Sequence, residues 1–322
     1  MTVLVTGGAG YIGSITARAL AASGRRVVVL DTLERGRREA VGDAPFVRGD
    51  VADRDLVRRV CAEHGVDEVV HFAAYKSVAE SMAEPARYFA NNTAGSLLLL
   101  EALAEAGVDR FVFSSTASVY GTPERVPVRE DDPVRCESVY AETKNLVERA
   151  LGWMSDRGSL RHVSLRYFNA AGAADDASLG EDWDVSSNLV PVVMKVTAGL
   201  SPELGIFGGE HPTPDGTCVR DYIHVEDLAA AHVAALDHLA AGGTSEVLNV
   251  GTGTGTSVLE ILAATERVTG RPVPRRILAP RPGDPPVSVA DTSRIGRVLD
   301  WTPQRFLDDI LSSAWRWHSS RT

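Results

Sequence analysis

Short apolar runs alternate along the first half of the chain with longer stretches of helical periodicity. The runs lie at residues 3–5, 27–30, 46–51, 67–72, 110–114 and 160–166, and their length is typical of buried strands. Helical patterns fill the intervals, including a long one at 85–106 whose leucine run, 97–100, we expect to be buried. Strands and helices that alternate in this way predict an α/β fold, a Rossmann-type doubly wound parallel sheet with right-handed crossovers.

The alternation ends at residue 169. Residues 170–184 are rich in Ala, Gly and Asp, residues 272–286 are rich in Pro and Arg, and a strand pattern at 248–250 indicates one return to the sheet. We therefore predict a dinucleotide-binding Rossmann domain and a smaller C-terminal mixed α/β lobe. Their boundaries are residues 1–169 plus about 227–268 for the first, and about 170–226 plus 269–322 for the second.

A glycine-rich turn connects the first strand to the first helix. Gly8, Gly10 and Gly13 match the pattern G-x-G-x-x-G in the order strand, turn, helix, which is the context that gives the pattern its meaning. Glycine lets the backbone turn tightly and approach a ligand, and the helix N-terminus offers N–H groups to a pyrophosphate. Asp31 ends the second strand, where a carboxylate can accept ribose hydroxyls and would repel a 2′-phosphate. The segment therefore predicts a site for NAD rather than NADP.

Tyr140 and Lys144 lie one turn apart on one face of a predicted helix at 138–151. A tyrosine acts as a base near neutral pH only when its pKa, ordinarily about 10, is lowered, and a neighbouring cation lowers a pKa by roughly 1–3 units. Many ordinary helices carry this spacing by chance, so the pair gains meaning only beside the dinucleotide turn and the polar strand end at 114–116. The chain has three lysines against thirty arginines, which favours a specific role for Lys144.

Composition and charge exclude several classes of protein. A net charge of −10 argues against a nucleic-acid or anionic-membrane partner, because a basic face would be small against that background. Cys61, Cys136 and Cys218 are far apart and lack the spacing of a metal site, so we expect no metal and a reducing cytoplasm. The chain begins directly with a strand pattern, and we expect neither a signal peptide nor a membrane span.

Two sets of segments resemble a known family. The turn at 6–13, Ser114-Ser115-Thr116 and the Tyr140/Lys144 pair together resemble the extended short-chain dehydrogenase/reductase superfamily. A second set resembles, more narrowly, the UDP-glucose 4-epimerase family within the NAD-dependent epimerases and dehydratases: residues 166–169, 219–225, 248–253 and 281–284. The resemblance follows the chain in order over essentially its whole length.

The resemblance implies an isomerase of galactose metabolism that interconverts UDP-galactose and UDP-glucose with tightly bound NAD. In this chemistry Tyr140 removes the proton of the sugar 4-hydroxyl, the C4 hydride passes to the nicotinamide, the 4-keto sugar rotates, and the hydride returns to its other face. Lys144 would lower the pKa of Tyr140 and bond the nicotinamide ribose, and Thr116 would hydrogen-bond the reacting oxygen. A positive nicotinamide would be a second influence on Tyr140. The family also implies a homodimer.

The same resemblance implies binding residues for cofactor and substrate. The cofactor residues would be Gly7, Gly10, Tyr11, Ile12, Gly13, Asp31, Asp50, Val51, Phe72, Ala73, Ala74, Lys76, Asn91, Ser114, Tyr140, Lys144 and Phe168. The substrate residues would be Lys76, Thr116, Tyr140, Asn169, Asn188, Leu189, Phe207, Arg220, Arg281, Asp284 and Ser288. Two of these arginines, Arg220 and Arg281, fit a bidentate phosphate clamp.

Other readings stay open at this stage. Some relatives carry a tyrosine where this chain has Ser288, so the small serine predicts room for an N-acetyl group and activity on UDP-GlcNAc and UDP-GalNAc as well. Another nucleotide-sugar 4-epimerase, acting on UDP-GlcNAc or a UDP-uronate, is the nearest alternative. A 4,6-dehydratase or decarboxylase is disfavoured because Ala117 and Ser118, rather than a carboxylate, follow Thr116. A net dehydrogenase and a non-catalytic NAD-binding module are the remaining alternatives.

Overall fold

The computed structural model describes residues 1–281 and 284–321. Its strands are β1 (Thr2–Thr6), β2 (Arg26–Asp31), β3 (Phe46–Arg48), β4 (Glu68–His71), β5 (Arg110–Thr116), β6 (Arg161–Tyr167), β7 (Asn169–Ala171), β8 (Leu204–Phe207), β9 (Val219–His224), β10 (Glu246–Val250), β11 (Gly255–Ser257), β12 (Arg275–Leu278) and β13 (Val287–Ser288). Its helices are α1 (Tyr11–Ala22), α2 (Arg54–His64), α3 (Val78–Ala83), α4 (Pro85–Tyr88), α5 (Gly95–Glu105), α6 (Val139–Asp156), α7 (Leu189–Thr197), α8 (Val225–Ala240), α9 (Val258–Thr269), α10 (Ser293–Leu299) and α11 (Leu307–Ser319).

Among these described residues, seven parallel strands form the central sheet in the order β10-β6-β5-β4-β1-β2-β3. The chain runs outward from β1 through β2 to β3 and then returns to β4 on the other side of β1. Open parallel sheets bind ligands at the carboxyl ends of their strands where the order reverses in this way. The predicted Rossmann-type α/β fold is confirmed, and β1 and β4 mark the place to look for a site.

The sheet is covered on both faces. On one face, α1 and α8 pack over the strands through residues such as Leu20, Leu228 and Leu236. On the other face, α2, α5 and α6 contribute a second core that includes Leu103 and Val147. Strands buried on both sides need apolar residues at nearly every position, which is why they appear in the sequence as short continuous apolar runs.

The long helix predicted at 85–106 is interrupted. A π-helical segment, Phe89–Ala94, separates α4 from α5. Within it Asn92 is buried, and its amide bonds both the backbone of Tyr75 and the hydroxyl of Thr143 on α6. The leucine run also differs from the expectation, because Leu97 is 42% exposed while Leu99 and Leu100 are buried.

The smaller lobe is built from short sheets and three helices. β9 pairs with β7, β11 and β13, while β8 pairs with β12. Helices α7, α9 and α11 share a core that includes Met194, Ile261 and Leu311. The division into two domains stays a prediction. We placed α9 in the Rossmann domain, with a boundary at about residue 268, whereas α9 contacts the helices α7 and α11 of the smaller lobe.

Three further features concern the described residues alone. Cys61, Cys136 and Cys218 are all free thiols. No group of three or more His, Cys, Asp or Glu side chains within 1–281 and 284–321 is arranged to hold a metal ion. Across that same part of the chain, each helix is too short or too polar to span a membrane. The cytoplasmic location stays a prediction.

Candidate active site

A cavity of about 1170 Å³ opens at the carboxyl ends of β1, β2 and β4. One wall is the glycine-rich turn and the N-terminus of α1, and another is the start of α6 with Tyr140 and Lys144. Every predicted cofactor residue except Phe168 lines this cavity: Gly7, Gly10, Tyr11, Ile12, Gly13, Asp31, Asp50, Val51, Phe72, Ala73, Ala74, Lys76, Asn91, Ser114, Tyr140 and Lys144. The fold therefore brings together residues from seven separate points of the sequence.

The glycine-rich turn has no room for side chains. Gly7 has a φ of +73°, and a Cβ on it would lie 2.6 Å from the backbone nitrogen of Ala73. A Cβ on Gly13 would lie 2.3 Å from the carbonyl oxygen of Gly7. Gly10 precedes α1 without a side-chain cap, and the first turn of α1 carries no acidic residue. This helix N-terminus can receive a pyrophosphate, because its N–H groups and its dipole favour an anion.

Asp31 lies at the end of β2 beside this turn. Its carboxylate accepts a hydrogen bond from the backbone nitrogen of Ala9 at 3.0 Å and another from that of Leu33 at 2.8 Å. These bonds fix the carboxylate in the cavity wall, where its remaining lone pairs can accept ribose hydroxyls. The geometry fits the sequence-based expectation of a dinucleotide without a 2′-phosphate.

Local capping places the Tyr140/Lys144 pair. Ser138 accepts a hydrogen bond from the backbone nitrogen of Ala141 at 3.2 Å and so begins α6. The Nζ atom of Lys144 then donates to the carbonyl of Ser114 at 2.8 Å and lies 4.9 Å from the centre of the Phe113 ring. The helix N-terminus therefore presents the phenol and the ammonium to the end of β5.

Burial shifts the two groups in opposite directions. It raises the pKa of Tyr140 to about 12, and a hydrogen bond with Thr116 opposes this shift in part. It lowers the pKa of Lys144 to about 7, while the negative charge of Glu148 opposes that shift. We expected Lys144 to lower the pKa of Tyr140; in the cofactor-free chain the cost of burying a phenolate raises this pKa instead.

The three hydroxyls at the end of β5 have separate partners. Ser114 Oγ hydrogen-bonds the phenol of Tyr167, Ser115 Oγ donates to Glu148, and Thr116 Oγ1 donates to Ser118 Oγ at 3.1 Å and also interacts with Tyr140. Tyr167 lines the cavity, and burial together with the charge of an ionised Tyr140 raises the pKa of Tyr167 well above its ordinary value. Sequence reasoning missed Tyr167 as a site residue, although it ends a buried strand at the ligand-binding edge.

The predicted substrate residues fall into two groups. Lys76, Tyr140, Asn188 and Arg281 line the cavity. Glu181, which the sequence analysis missed, joins two of them: its buried carboxylate accepts from Lys76 Nζ at 2.5 Å and from Asn188 Nδ2 at 2.9 Å. Glu181 lies in a segment of Ala, Gly and Asp without regular structure, so no periodicity signals its role.

The other substrate candidates lie outside the cavity lining. Thr116 lies behind the cavity wall, next to Tyr140, and Phe207 has its ring centre 3.7 Å from the guanidinium of the cavity-lining Arg281. Arg220 hydrogen-bonds Asp284 and pairs in register with Ser288 on β13. The remaining candidates are Asn169 at the start of β7, Leu189 at the start of α7, and Phe168, a predicted cofactor residue that packs in a small core with Val119, Tyr120, Val128 and Ala290.

Phe168 is only 7% exposed and packs into that core, so its contact with the cofactor stays a prediction. The segment 281–284, which carries part of the family resemblance, is described only at Arg281 and Asp284. Pro282 and Gly283 lie outside the described residues.

Comparisons with known proteins cover nearly the whole chain. A model of the NAD dependent epimerase/dehydratase family matches residues 3–251. A UDP-glucose 4-epimerase of Azospirillum brasilense is 48% identical over 320 residues, which cover 99% of this chain and 92% of that protein. The crystal structure of a UDP-glucose-4-epimerase from Stenotrophomonas maltophila, with bound NAD and formylated UDP-arabinopyranose, has a TM-score of 0.97 and 44% identity, and covers 100% of this chain and 98% of that one.

A UDP-Glc/GlcNAc 4-epimerase from Campylobacter jejuni is similar over the same length, with a TM-score of 0.87, 38% identity and coverage of 99% of each chain. The agreement thus includes both the sheet that carries the dinucleotide turn and the smaller lobe. It confirms the family that the sequence motifs resemble: this chain belongs to the NAD dependent epimerase/dehydratase family.

Proposed function

We propose that the chain interconverts UDP-galactose and UDP-glucose by oxidising C4 of the sugar and reducing it again on the opposite face. The observation that carries this proposal is the meeting of Tyr140 and Lys144, with Thr116 beside Tyr140, at one wall of a cavity whose other wall is the glycine-rich turn. Relatives named for this reaction match the chain over nearly its full length. Ala117 and Ser118, which follow Thr116, offer no carboxylate for a dehydration.

The cofactor of this chemistry is NAD. The turn without space for a Cβ at Gly7 and Gly13, the uncapped N-terminus of α1 and the carboxylate of Asp31 fit its pyrophosphate and its adenosine ribose. Lys76, on the same cavity wall, would supply a cation to the pyrophosphate. When bound, NAD supplies a hydride acceptor and donor beside the sugar.

The chain's own residues move the proton and hold the sugar. Tyr140 takes the proton of the 4-hydroxyl and returns it, and Thr116 bonds both this phenol and the reacting oxygen. Because the pKa of Tyr140 is about 12 in the cofactor-free chain, the phenol becomes an effective base only when further positive charge lies beside it. Lys144 is the nearest cation of the chain itself, and its ammonium lies within the same wall.

The first test is turnover of purified protein on UDP-galactose without added NAD, together with Tyr140→Phe. We expect the wild type to produce UDP-glucose without a rise in the absorbance of reduced cofactor. We expect Tyr140→Phe to lose about two orders of magnitude or more of the rate and to retain its NAD. A full rate in Tyr140→Phe would overturn the mechanism, and a need for stoichiometric NAD would indicate a dehydrogenase.

We propose a second substrate pair, UDP-GlcNAc and UDP-GalNAc. The support is the small side chain of Ser288, which lies on β13 in register with Arg220 on β9. A tyrosine at this place would fill space beside the proposed phosphate arginine. Ser288→Tyr should therefore lose UDP-GlcNAc turnover and keep UDP-galactose turnover; equal UDP-GlcNAc rates in both proteins would contradict the proposal.

We also propose a homodimer. The support is an apolar surface on the helices that lie next to each other on one face of the sheet, with Leu97 42% exposed on α5 and Trp153 66% exposed on α6. Burial of such side chains in an interface is favourable. Light scattering after size exclusion should give twice the chain mass for the wild type and the chain mass for Leu97→Glu/Trp153→Glu; a monomeric wild type would exclude the dimer.

A further inference from the structure

A buried ion pair joins the helix of the proposed base to the central sheet. Glu148 lies on α6 one turn beyond Lys144, and its carboxylate accepts from Arg166 Nε at 3.0 Å and from Arg166 Nη2 at 2.5 Å. The two side chains are only 5% and 7% exposed. Ser115 Oγ on β5 donates to the same carboxylate. Glu148 therefore ties α6 to β5 and β6 at once.

The polar contacts continue from this pair to β10. Arg166 Nη1 donates to the phenol oxygen of Tyr120 at 2.9 Å, and that phenol donates to Asn249 Oδ1 at 2.7 Å. Asn249 Nδ2 in turn donates to the carbonyl of Val128 at 2.9 Å. The guanidinium is thus held from both sides, which gives the pair one defined geometry.

A buried ion pair seldom makes a protein more stable than apolar residues of similar volume would. The position of this pair in the structure suggests a different role. Ser115 lies between Ser114, whose carbonyl accepts from Lys144, and Thr116, which bonds Tyr140. Holding Ser115 to α6 therefore fixes the distance between the strand that carries the hydroxyls and the helix that carries the base.

Resting on the proposed function, we propose that Glu148 is a positioning residue for the reaction: held by Arg166 and Ser115, its carboxylate sets α6 against β5 and places a negative charge one helical turn from Lys144. No contact with cofactor or substrate is required, because Glu148 acts through Lys144 and Ser115. This role explains why a carboxylate, rather than an apolar residue, lies at the buried centre of these three elements.

Several charged or titratable groups face Lys144. Tyr140 and Glu148 lie on its own helix, His71 approaches from β4, and Arg166 and Tyr167 belong to β6. Burial holds the pKa of His71 down to about 3, so this ring is neutral at pH 7. Glu148 is therefore the group that favours the protonated form of Lys144, against burial. Its removal should make Lys144 lose its proton at lower pH.

The experiment compares Glu148→Gln with Glu68→Gln. Glu68 forms a second buried ion pair, with Arg25 at 3.1 Å, at the start of β4 and thus at the opposite end of the sheet from the cavity. Both substitutions remove the carboxylate of a buried ion pair, although Arg25 keeps a second partner in Asp237 at 2.6 Å, so both should lower the melting temperature. Only Glu148→Gln should lower kcat on UDP-galactose, by about tenfold with KM changed less than about twofold.

A substrate-independent measurement uses the scarcity of lysine. Lysine labelled with ¹³C at Cε gives three resonances in this chain, and Lys144→Met identifies the one from Lys144. In cofactor-free protein, the titration midpoint of that resonance should fall by about one pH unit in Glu148→Gln and stay unchanged in Glu68→Gln. This arm decides the proposal even if the wild type fails to turn over UDP-sugars, which would be a failure of the proposed function alone.

Ser115→Ala covers the case in which Glu148→Gln does not fold. This change keeps the ion pair and removes only the hydrogen bond from β5 to Glu148. We expect a folded protein whose kcat falls severalfold with an unchanged KM. The proposal is overturned if kcat and the Lys144 midpoint of Glu148→Gln match those of Glu68→Gln, or, where Glu148→Gln does not fold, if Ser115→Ala keeps the full kcat.

Discussion

Tyr140 can become an anion and Lys144 a cation, and burial favours the neutral form of each side chain. It raises the pKa of the phenol to about 12 and lowers that of the amine to about 7. At neutral pH the cofactor-free site thus holds a protonated tyrosine and a lysine that is only partly protonated. The two side chains are therefore in place for proton transfer before a cofactor adds positive charge. Burying an ionisable lysine in this way lowers the free energy of unfolding.

At the residue scale, Lys144→Met should abolish turnover and yet stabilise the cofactor-free protein. Below pH 7 the lysine is charged in both the folded and the unfolded chain, so the full cost of burying it is present, on the order of 5 kcal/mol. As pH rises from about 7 to the unfolded value of 10.5, the folded lysine is neutral while the unfolded one loses its proton, and this cost disappears. Denaturant unfolding at pH 6 and pH 10 measures the difference.

Lys195→Met is the matched control. Lys195 lies on α7 at the surface and pairs with Asp184 at 2.8 Å, so its removal offers no relief of buried charge. A stabilisation of Lys144→Met that is equal at pH 6 and pH 10, or is shared by Lys195→Met, would show that buried charge is not its cause.

At the scale of the element, the turn and the helix behind it depend on close backbone contact. Gly13 lies inside α1, and a Cβ there would meet the carbonyl oxygen of Gly7 at 2.3 Å. Gly13→Ala must therefore displace the turn that receives the pyrophosphate. We expect a loss of about 1–3 kcal/mol in the free energy of unfolding and a loss of the thermal shift that NAD produces in the wild type.

Gly152→Ala provides the comparison for this prediction. Gly152 also lies in a helix, α6, and a Cβ there has nothing within 4 Å. Alanine in that position should stabilise the protein by roughly 0.5–1 kcal/mol and leave the NAD-induced shift unchanged. If Gly13→Ala behaves like Gly152→Ala, the close contact in the turn is not required.

At the scale of the whole molecule, buried histidines should set the acid limit of stability. Burial lowers the pKa of His71 to about 3, and it lowers those of four others to about 4: His162, His224, His232 and His318. Between about pH 6.5 and 4 the unfolded chain takes up protons that the folded chain refuses, so stability falls as pH falls. We expect the free energy of unfolding to be lower at pH 5 than at pH 7 by on the order of 5 kcal/mol.

Replacement of one such ring tests the cause. His232 is fully buried against the Phe72 ring. In His232→Leu, unfolding should therefore take up about one proton fewer between pH 7 and pH 5, and the free energy of unfolding should depend less steeply on pH. His64→Gln, at the partly exposed end of α2, removes a ring that is not buried and serves as the matched control. An unfolding free energy that is equal at pH 5 and pH 7 in the wild type would contradict this account.

The sequence by itself determined the features that depend on near neighbours. Apolar runs fixed the strands, the glycines of 7–13 fixed the turn, and helical geometry placed Tyr140 and Lys144 on one face, because each relation spans only a few residues. The motifs also identified the family. The extent of each element was less accessible: the π-helical segment at Phe89–Ala94 coincides with side-chain bonds from Asn92 to residues far along the chain.

Only the tertiary structure decided what surrounds the Tyr140/Lys144 pair. Three residues of this surrounding were not predictable: Tyr167, Glu181 and Glu148. Each is held by a partner that is distant in the sequence, and such a contact leaves no periodic pattern of residues. The direction of the two pKa shifts depends on desolvation, which exists only once the chain has folded around the groups. Spacing along a helix can place a base and a cation side by side, but burial decides which of them carries a charge.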